Sequence, residues 1–88
     1  PIAAGAVVAP DAVVDDSVVC AGARIEAGAR VTRSVVLPAA RVGPGAVVQD
    51  SIVAGTIGAG AELVRTVVGA DAKIADGEQL RDARVPVG

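Results

Sequence analysis

The chain predicts an all-β fold, a single-stranded parallel β-helix of about five triangular coils. Two observations in its 88 residues carry this reading. Charged residues of alternating sign recur at Asp16, Arg33, Asp50, Arg65 and Asp82, in steps of 17, 17, 15 and 17 residues. Each is followed by a small residue (Ser17, Ser34, Ser51, Thr66, Ala83), and the first four of these by a β-branched one (Val18, Val35, Ile52, Val67). A sequence that repeats this closely is a solenoid, and its period is read before any local propensity. Equivalent residues of successive coils then stack about 4.8 Å apart. Like charges stacked at that distance repel and alternating charges attract. The sign pattern therefore supports the stacking independently of the apolar pattern.

Within each period, shorter units open on an aliphatic or small residue. The first coil has Ile2, Val8 and Val14, the second Cys20, Ile25 and Val31, and the third Leu37, Val42 and Val48. The fourth has Ala54, Ile57 and Leu63, the fifth Gly69, Ile74 and Leu80, and Val85 opens one more unit. Most steps are six residues and one side of each coil takes five, which together make 17; the three-residue unit Ala54-Gly55-Thr56 accounts for the coil of 15. The position two before each opener is small or apolar, as at Ala23, Ala40, Val35 and Ile52. This spacing is neither helical nor a plain strand alternation. It describes a short strand and a turn, three times per coil, with Gly22, Gly28, Gly45 and Gly60 in or near the turns.

The segments Ile25-Glu26-Ala27-Gly28-Ala29-Arg30, Val42-Gly43-Pro44-Gly45-Ala46-Val47 and Ile57-Gly58-Ala59-Gly60-Ala61-Glu62 resemble the hexapeptide repeat, and the resemblance covers nearly the whole chain. It implies a left-handed triangular prism with one side per hexapeptide. That hand departs from the rule for ordinary parallel crossovers.

Residues 1–88 make one domain. A chain this short buries little surface, but in a solenoid each coil covers its neighbour and stability sums along the stack. The apolar fraction is 52%, with no Phe, Trp, Tyr or Met, which suits a narrow prism filled by Val, Ile, Leu and Ala. A net charge of −2 with interleaved signs gives no nucleic-acid patch, and base stacking has no aromatic to use. No apolar run approaches a membrane span, and there is no signal peptide. Cys20 is the only cysteine, so no disulfide forms within one chain. As a unit opener it is expected inside the prism as a small hydrophobe, and a cytoplasmic location is the expectation.

The chain has no histidine. Hexapeptide acyltransferases use a histidine as general base, and γ-class carbonic anhydrases hold zinc through three, so these residues run neither chemistry. Asp15 and Asp16 are adjacent on a strand and face opposite sides, which makes them a solvated edge rather than a carboxylate pair. Glu78 stands where earlier coils carry a small or apolar residue; either the last coil is distorted there or, the favoured reading, Glu78 caps the open end of the prism. Gly43-Pro44-Gly45 and Gly58-Ala59-Gly60 lack the Lys-Ser/Thr of a phosphate loop and are repeat turns. No catalytic, cofactor-binding or metal-binding residue is assigned.

Two rows remain. Val19, Val36, Val53 and Val68 hold the last position of a unit beside the charge ladder, where side chains are expected to point outward. Stacked, they form a candidate interface; the alternative is valine chosen only for strand propensity. Arg24, Arg41, Thr56 and Lys73 put three positive charges along one corner, either solvated or anion-binding.

The phrases Asp16-Ser17-Val18-Val19, Arg33-Ser34-Val35-Val36, Asp50-Ser51-Ile52-Val53 and Arg65-Thr66-Val67-Val68, alternating with the glycine-rich segments, narrow the resemblance. They are similar to the C-terminal β-helix of sugar-1-phosphate nucleotidylyltransferases, in the mannose-1-phosphate guanylyltransferase and glucose-1-phosphate nucleotidylyltransferase branches. The resemblance implies a parent that converts NTP and sugar 1-phosphate to NDP-sugar and pyrophosphate, with Mg²⁺ held by an N-terminal catalytic domain whose motifs are not in this segment. The implied partners are that domain, a second copy of the chain, or both. A stand-alone interaction module and a fragment of a hexapeptide acyltransferase are the alternatives. Pro1-Ile2-Ala3-Ala4-Gly5 enters mid-repeat, as in a segment of a longer protein, and Val85-Pro86-Val87-Gly88 reads as a termination because Pro86 has no N–H to donate.

Overall fold

A β-branched pair followed by a tight turn makes a strand of two or three residues, and the chain repeats this along its length. The structure is a computed structural model that describes residues 1–86; Val87 and Gly88, the last two residues of the expected termination, lie outside the described residues. The first coil holds β1 (Val7–Val8), β2 (Val13–Asp15) and β3 (Val18–Val19), the second β4 (Arg24–Ile25), β5 (Arg30–Thr32) and β6 (Val35–Val36). The third holds β7 (Arg41–Val42), β8 (Val47–Gln49) and β9 (Ile52–Val53), the fourth β10 (Thr56–Ile57), β11 (Glu62–Val64) and β12 (Val67–Val68). The fifth holds β13 (Lys73–Ile74), β14 (Gln79–Arg81) and β15 (Arg84–Val85).

Every third strand pairs in parallel, giving three five-stranded faces: β1-β4-β7-β10-β13 (first), β2-β5-β8-β11-β14 (second) and β3-β6-β9-β12-β15 (third). Ile2 bridges to Val19 and adds a rung to the third face. Register follows the period, with Val31 on Val48 and Ile57 on Ile74, and drops to 15 residues between the third and fourth coils, with Val48 on Leu63. The β-solenoid of about five turns is thus the predicted fold class, in a body 32 Å long and 20 Å across.

The interior is a column of aliphatics, one from each strand. On the first face these are Ile25, Val42, Ile57 and Ile74, and on the second Val31, Val48 and Leu63, all at most 3% exposed. Burying each contributes about 1.5–3 kcal/mol. Alanines two residues earlier (Ala23, Ala29, Ala40, Ala46, Ala61) are buried beside them.

The third face corrects the expected phase. Its interior residues are Val19, Val36, Val53 and Val68, each at most 1% exposed, so the four candidate interface residues are core. The outward row is Val18, Val35, Ile52 and Val67, one residue earlier. Cys20, expected inside, lies beyond Val19 and is half-buried. The five-residue side of the prism runs from Val14 to Val19, not from Cys20 to Ile25. Its corner is turned by one residue in the left-handed region: Asp16, Arg33, Asp50, Arg65 or Asp82, with φ between 46° and 52°. The other corners take longer turns, such as Glu26-Ala27-Gly28, where Gly28 has φ 72°.

Candidate interaction face and its charged corner

The short corner changes the hydrogen bonding beneath it. On six-residue sides the N–H of the small interior residue turns back to a carbonyl three residues earlier, as Ala40 N does to Leu37 O at 3.1 Å and Ala46 N to Gly43 O at 3.2 Å. A five-residue side has no room for that turn. There the N–H of Ser34, Ser51 and Thr66 donates instead to the hydroxyl of the coil before it, Ser17, Ser34 and Ser51, each at 3.0 Å. Each hydroxyl in turn donates to the carbonyl two residues back: Ser17 to Asp15, Ser34 to Thr32, Ser51 to Gln49 and Thr66 to Val64, at 2.7–2.9 Å. No buried side-chain nitrogen or oxygen is left without a partner among the described residues. Sequence reading took these positions only as small. The signal it passed over is hydroxyl in place of alanine.

The charge ladder lies on the same corner, but its pairing is discrete. Arg33 grips Asp50 through two hydrogen bonds of 2.7 and 3.1 Å, and Arg65 grips Asp82 at 2.6 and 3.1 Å. The hydrogen bonds from Arg33 and Arg65 hold the carboxyls of Asp50 and Asp82 below the ordinary carboxylate value, and the same bonds raise the two arginines. Asp16 acts on Arg33 only through its field. These groups are solvent-exposed, so the pairs contribute little apart from local order.

Outward residues distinguish the faces. Arg24, Arg41 and Lys73 open the two-residue strands of the first face, within the strands and not in the corner turns; Thr56 continues their row, and Glu26 lies 3.8 Å from Arg41. On the second face the row is Val13, Arg30, Val47, Glu62 and Gln79. On the third face Val18, Ile52 and Val67 are 38–43% exposed, Val35 is half-buried, and charge returns only at Arg84. Beside this row stand Cys20, Leu37, Ala54 and Gly69, all half-buried and uncharged. The third face is thus an apolar strip bordered on one side by the charge ladder.

Glu78 takes an interior register position, yet its side chain is outside, where Oε1 accepts the Ala75 N–H at 3.0 Å. Its bond closes its own turn, which is not the expected cap over the open end of the prism. Asp11 and Asp76 do the same for neighbouring coils, accepting from Gly28 N and Ala59 N at 3.1 and 2.8 Å. No group of three or more Cys, Asp or Glu that could hold a metal ion occurs among the described residues, and no helix is long and apolar enough to cross a membrane.

A family model, the GMPPB C-terminal domain, matches residues 1–87. The chain belongs to that family. No curated protein and no solved structure matches it. The family match and the β-solenoid together fit the hexapeptide-repeat C-terminal domain of a sugar-1-phosphate nucleotidylyltransferase, and with it the left-handed winding. Within this GMPPB C-terminal domain, the outward row of the third face is the candidate interaction surface.

Proposed function

We propose that this chain is a non-catalytic, assembly-building domain of a sugar-1-phosphate nucleotidylyltransferase, working in the cytoplasm. The parent reaction is transfer of a nucleotidyl group from NTP to a sugar 1-phosphate with release of pyrophosphate, and Mg²⁺ belongs to the parent's catalytic domain. The observation that carries the assembly role is the apolar outward row Val18, Val35, Ile52 and Val67, on a fold whose other two faces interrupt their outward valines with charged or polar residues. An apolar strip of this kind on a rigid prism marks a packing surface. The family match supports the nucleotidylyltransferase side of the reading.

The test is pyrophosphate release from NTP, sugar 1-phosphate and Mg²⁺, measured on the native gene product and on the 88-residue segment. Release by the native product alone is the expected result. A native product that is free-standing at 8.5 kDa and inactive, or a segment that turns over by itself, overturns the reading.

A further inference from the structure

The geometry points to a diphosphate-binding row on the first face, made by Arg24, Arg41, Thr56 and Lys73. The row lies apart from the apolar strip and does not depend on the assembly role.

The four residues are register partners on consecutive rungs: Arg24 on Arg41, Arg41 on Thr56, and Thr56 on Lys73. Rungs lie about 4.8 Å apart, so the row runs about 14 Å along the prism. Its three cations are exposed and Thr56 is half-buried. Like charges directly opposite in a sheet repel. The corner ladder avoids this by alternating sign, and there Arg33 and Arg65 each grip an aspartate through two hydrogen bonds. The first face does the reverse. Arg24 is set against Arg41, and the fold does not ask for it, since Val7 holds the same place one coil earlier. Arg24 and Lys73 take part in no ion pair among the described residues. Arg41 has only Glu26, whose Oε1 is 3.8 Å from its Nε, beyond hydrogen-bond length. The Thr56 hydroxyl makes no hydrogen bond among the described residues, unlike that of Thr66, which donates to Val64 O.

Three cations and a hydroxyl thus line up as donors with one loosely held acceptor. An oxyanion supplies the missing acceptors, and the spacing gives its shape. One phosphoryl group sits over Thr56 and takes its hydroxyl proton as a hydrogen bond, with Arg41 on one side and Lys73 on the other. A second, joined to the first, reaches between Arg24 and Arg41, whose guanidiniums hold it by charge-assisted hydrogen bonds. Gly43 and Gly58, two residues after Arg41 and Thr56, put no side chain beside these rungs, so the anion lies close against the strands. Of the nearby carboxylates, Asp76 is taken up by Ala59 N at 2.8 Å, and Asp71, two residues before Lys73, forms no ion pair with it. Glu26 is the one the anion displaces.

Amide chemical shifts of the nitrogen-15-labelled chain, in magnesium-free buffer at constant ionic strength, report binding as pyrophosphate is added. Saturable shifts centred on Arg41, Thr56, Gly58 and Lys73 are expected, with a Kd on the order of 1 mM. Inorganic phosphate binds about tenfold more weakly, because it leaves Arg24 unused. Arg41→Gln and Lys73→Gln each weaken pyrophosphate at least about fivefold, and Arg24→Gln brings it down to the level of phosphate while leaving phosphate unchanged. Glu26→Gln tightens both about two- to threefold by removing the competing carboxylate. Arg30→Gln, outward on the second face, changes neither. All these positions face outward, so the melting transition stays intact. No saturable shift up to about 20 mM pyrophosphate overturns the proposal. Binding that survives both Arg41→Gln and Lys73→Gln overturns the choice of row, and phosphate that binds as tightly as pyrophosphate overturns the two-phosphoryl span. A nucleoside diphosphate is the second probe: equal binding supports the site with a diphosphate ester as its ligand, and weaker binding supports it with free pyrophosphate.

Discussion

The first and third faces are built alike inside and differently outside. Each has five two-residue strands, and each sends an unbroken column of β-branched side chains inward, Ile25-Val42-Ile57-Ile74 against Val19-Val36-Val53-Val68. Outward, the first carries Arg24, Arg41 and Lys73 with Glu26 beside Arg41, and the third carries Val18, Val35, Ile52 and Val67. Filling a narrow prism dictates the inner column, so its composition reports only the fold. Nothing in the fold dictates the outer column. Strand propensity accounts for β-branched residues there, and the assembly role proposed above accounts for the lack of charge over four rungs.

The largest test of this division substitutes neighbours. Val36→Asp places a carboxylate in a column with no exposure, and is expected to cost at least about 4 kcal/mol, enough to unfold a domain of this size. Val35→Asp, one residue away and outward, costs about 1 kcal/mol or less through lost strand propensity. Urea unfolding of both measures the contrast. Equal losses would mean the third face has no inside and outside of this kind.

A smaller effect probes the one irregular corner. Between Val53 and Ile57 the chain crosses from the third face to the first in four residues, against six from Val36 to Val42. The shortcut presses Gly55 against the next coil, and a Cβ there would fall on the carbonyl oxygens of Gly69 and Ala72. These are backbone atoms held by a turn bond at Gly69 and an inter-coil bond at Ala72, so Gly55→Ala is expected to cost about 3 kcal/mol. Gly60, with open space around its Cβ direction, is the comparison, and Gly60→Ala meets only the strain of its φ of 68°, about 1 kcal/mol. A thermal melt in which the two variants lose the same would remove the steric account.

The hydroxyl stack sharpens the comparison further. Ala40 needs no hydroxyl because its N–H turns back to Leu37 O, whereas Ser51 N depends on Ser34 Oγ. Ser34→Ala strands that buried N–H, whereas the Thr32 carbonyl keeps the Asp50 N–H, so the expected cost is about 1–2 kcal/mol. Faster amide exchange at Ser51 than at Thr66 would locate the loss.

These residues also show what the sequence made legible. The period, the number of coils and the charged corner follow from spacing alone, because parallel in-register stacking forces equivalent residues into one column. The facing of the third column was misread because the five-residue side was placed after Cys20. Counting from Ile2 or back from Val85 in coil lengths lands on Val19, Val36, Val53 and Val68, and serine instead of alanine marks the short corner that sets this phase. Which arginine grips which aspartate was not legible. The alternation of charge is the same read in either direction, and the choice of Arg33–Asp50 and Arg65–Asp82 depends on how each guanidinium leaves its left-handed backbone.

The smallest expected effect belongs to those pairs and concerns pH. Hydrogen bonds from Arg33 and Arg65 depress Asp50 and Asp82. A carboxyl depressed in the folded state contributes stability that is present above its unfolded value, about 3.9, and is lost as pH falls through the folded one. Arg33→Gln combined with Arg65→Gln keeps a long side chain at both left-handed corners, so backbone strain cancels in the comparison. The double variant is expected to melt slightly below the parent chain at pH 7, and the gap is expected to close as pH falls through the depressed titration of the two carboxyls. Added salt narrows it as well, since both pairs are exposed. A gap that persists unchanged in acid would mean that the arginines hold the corner by the packing of their stems and not by charge.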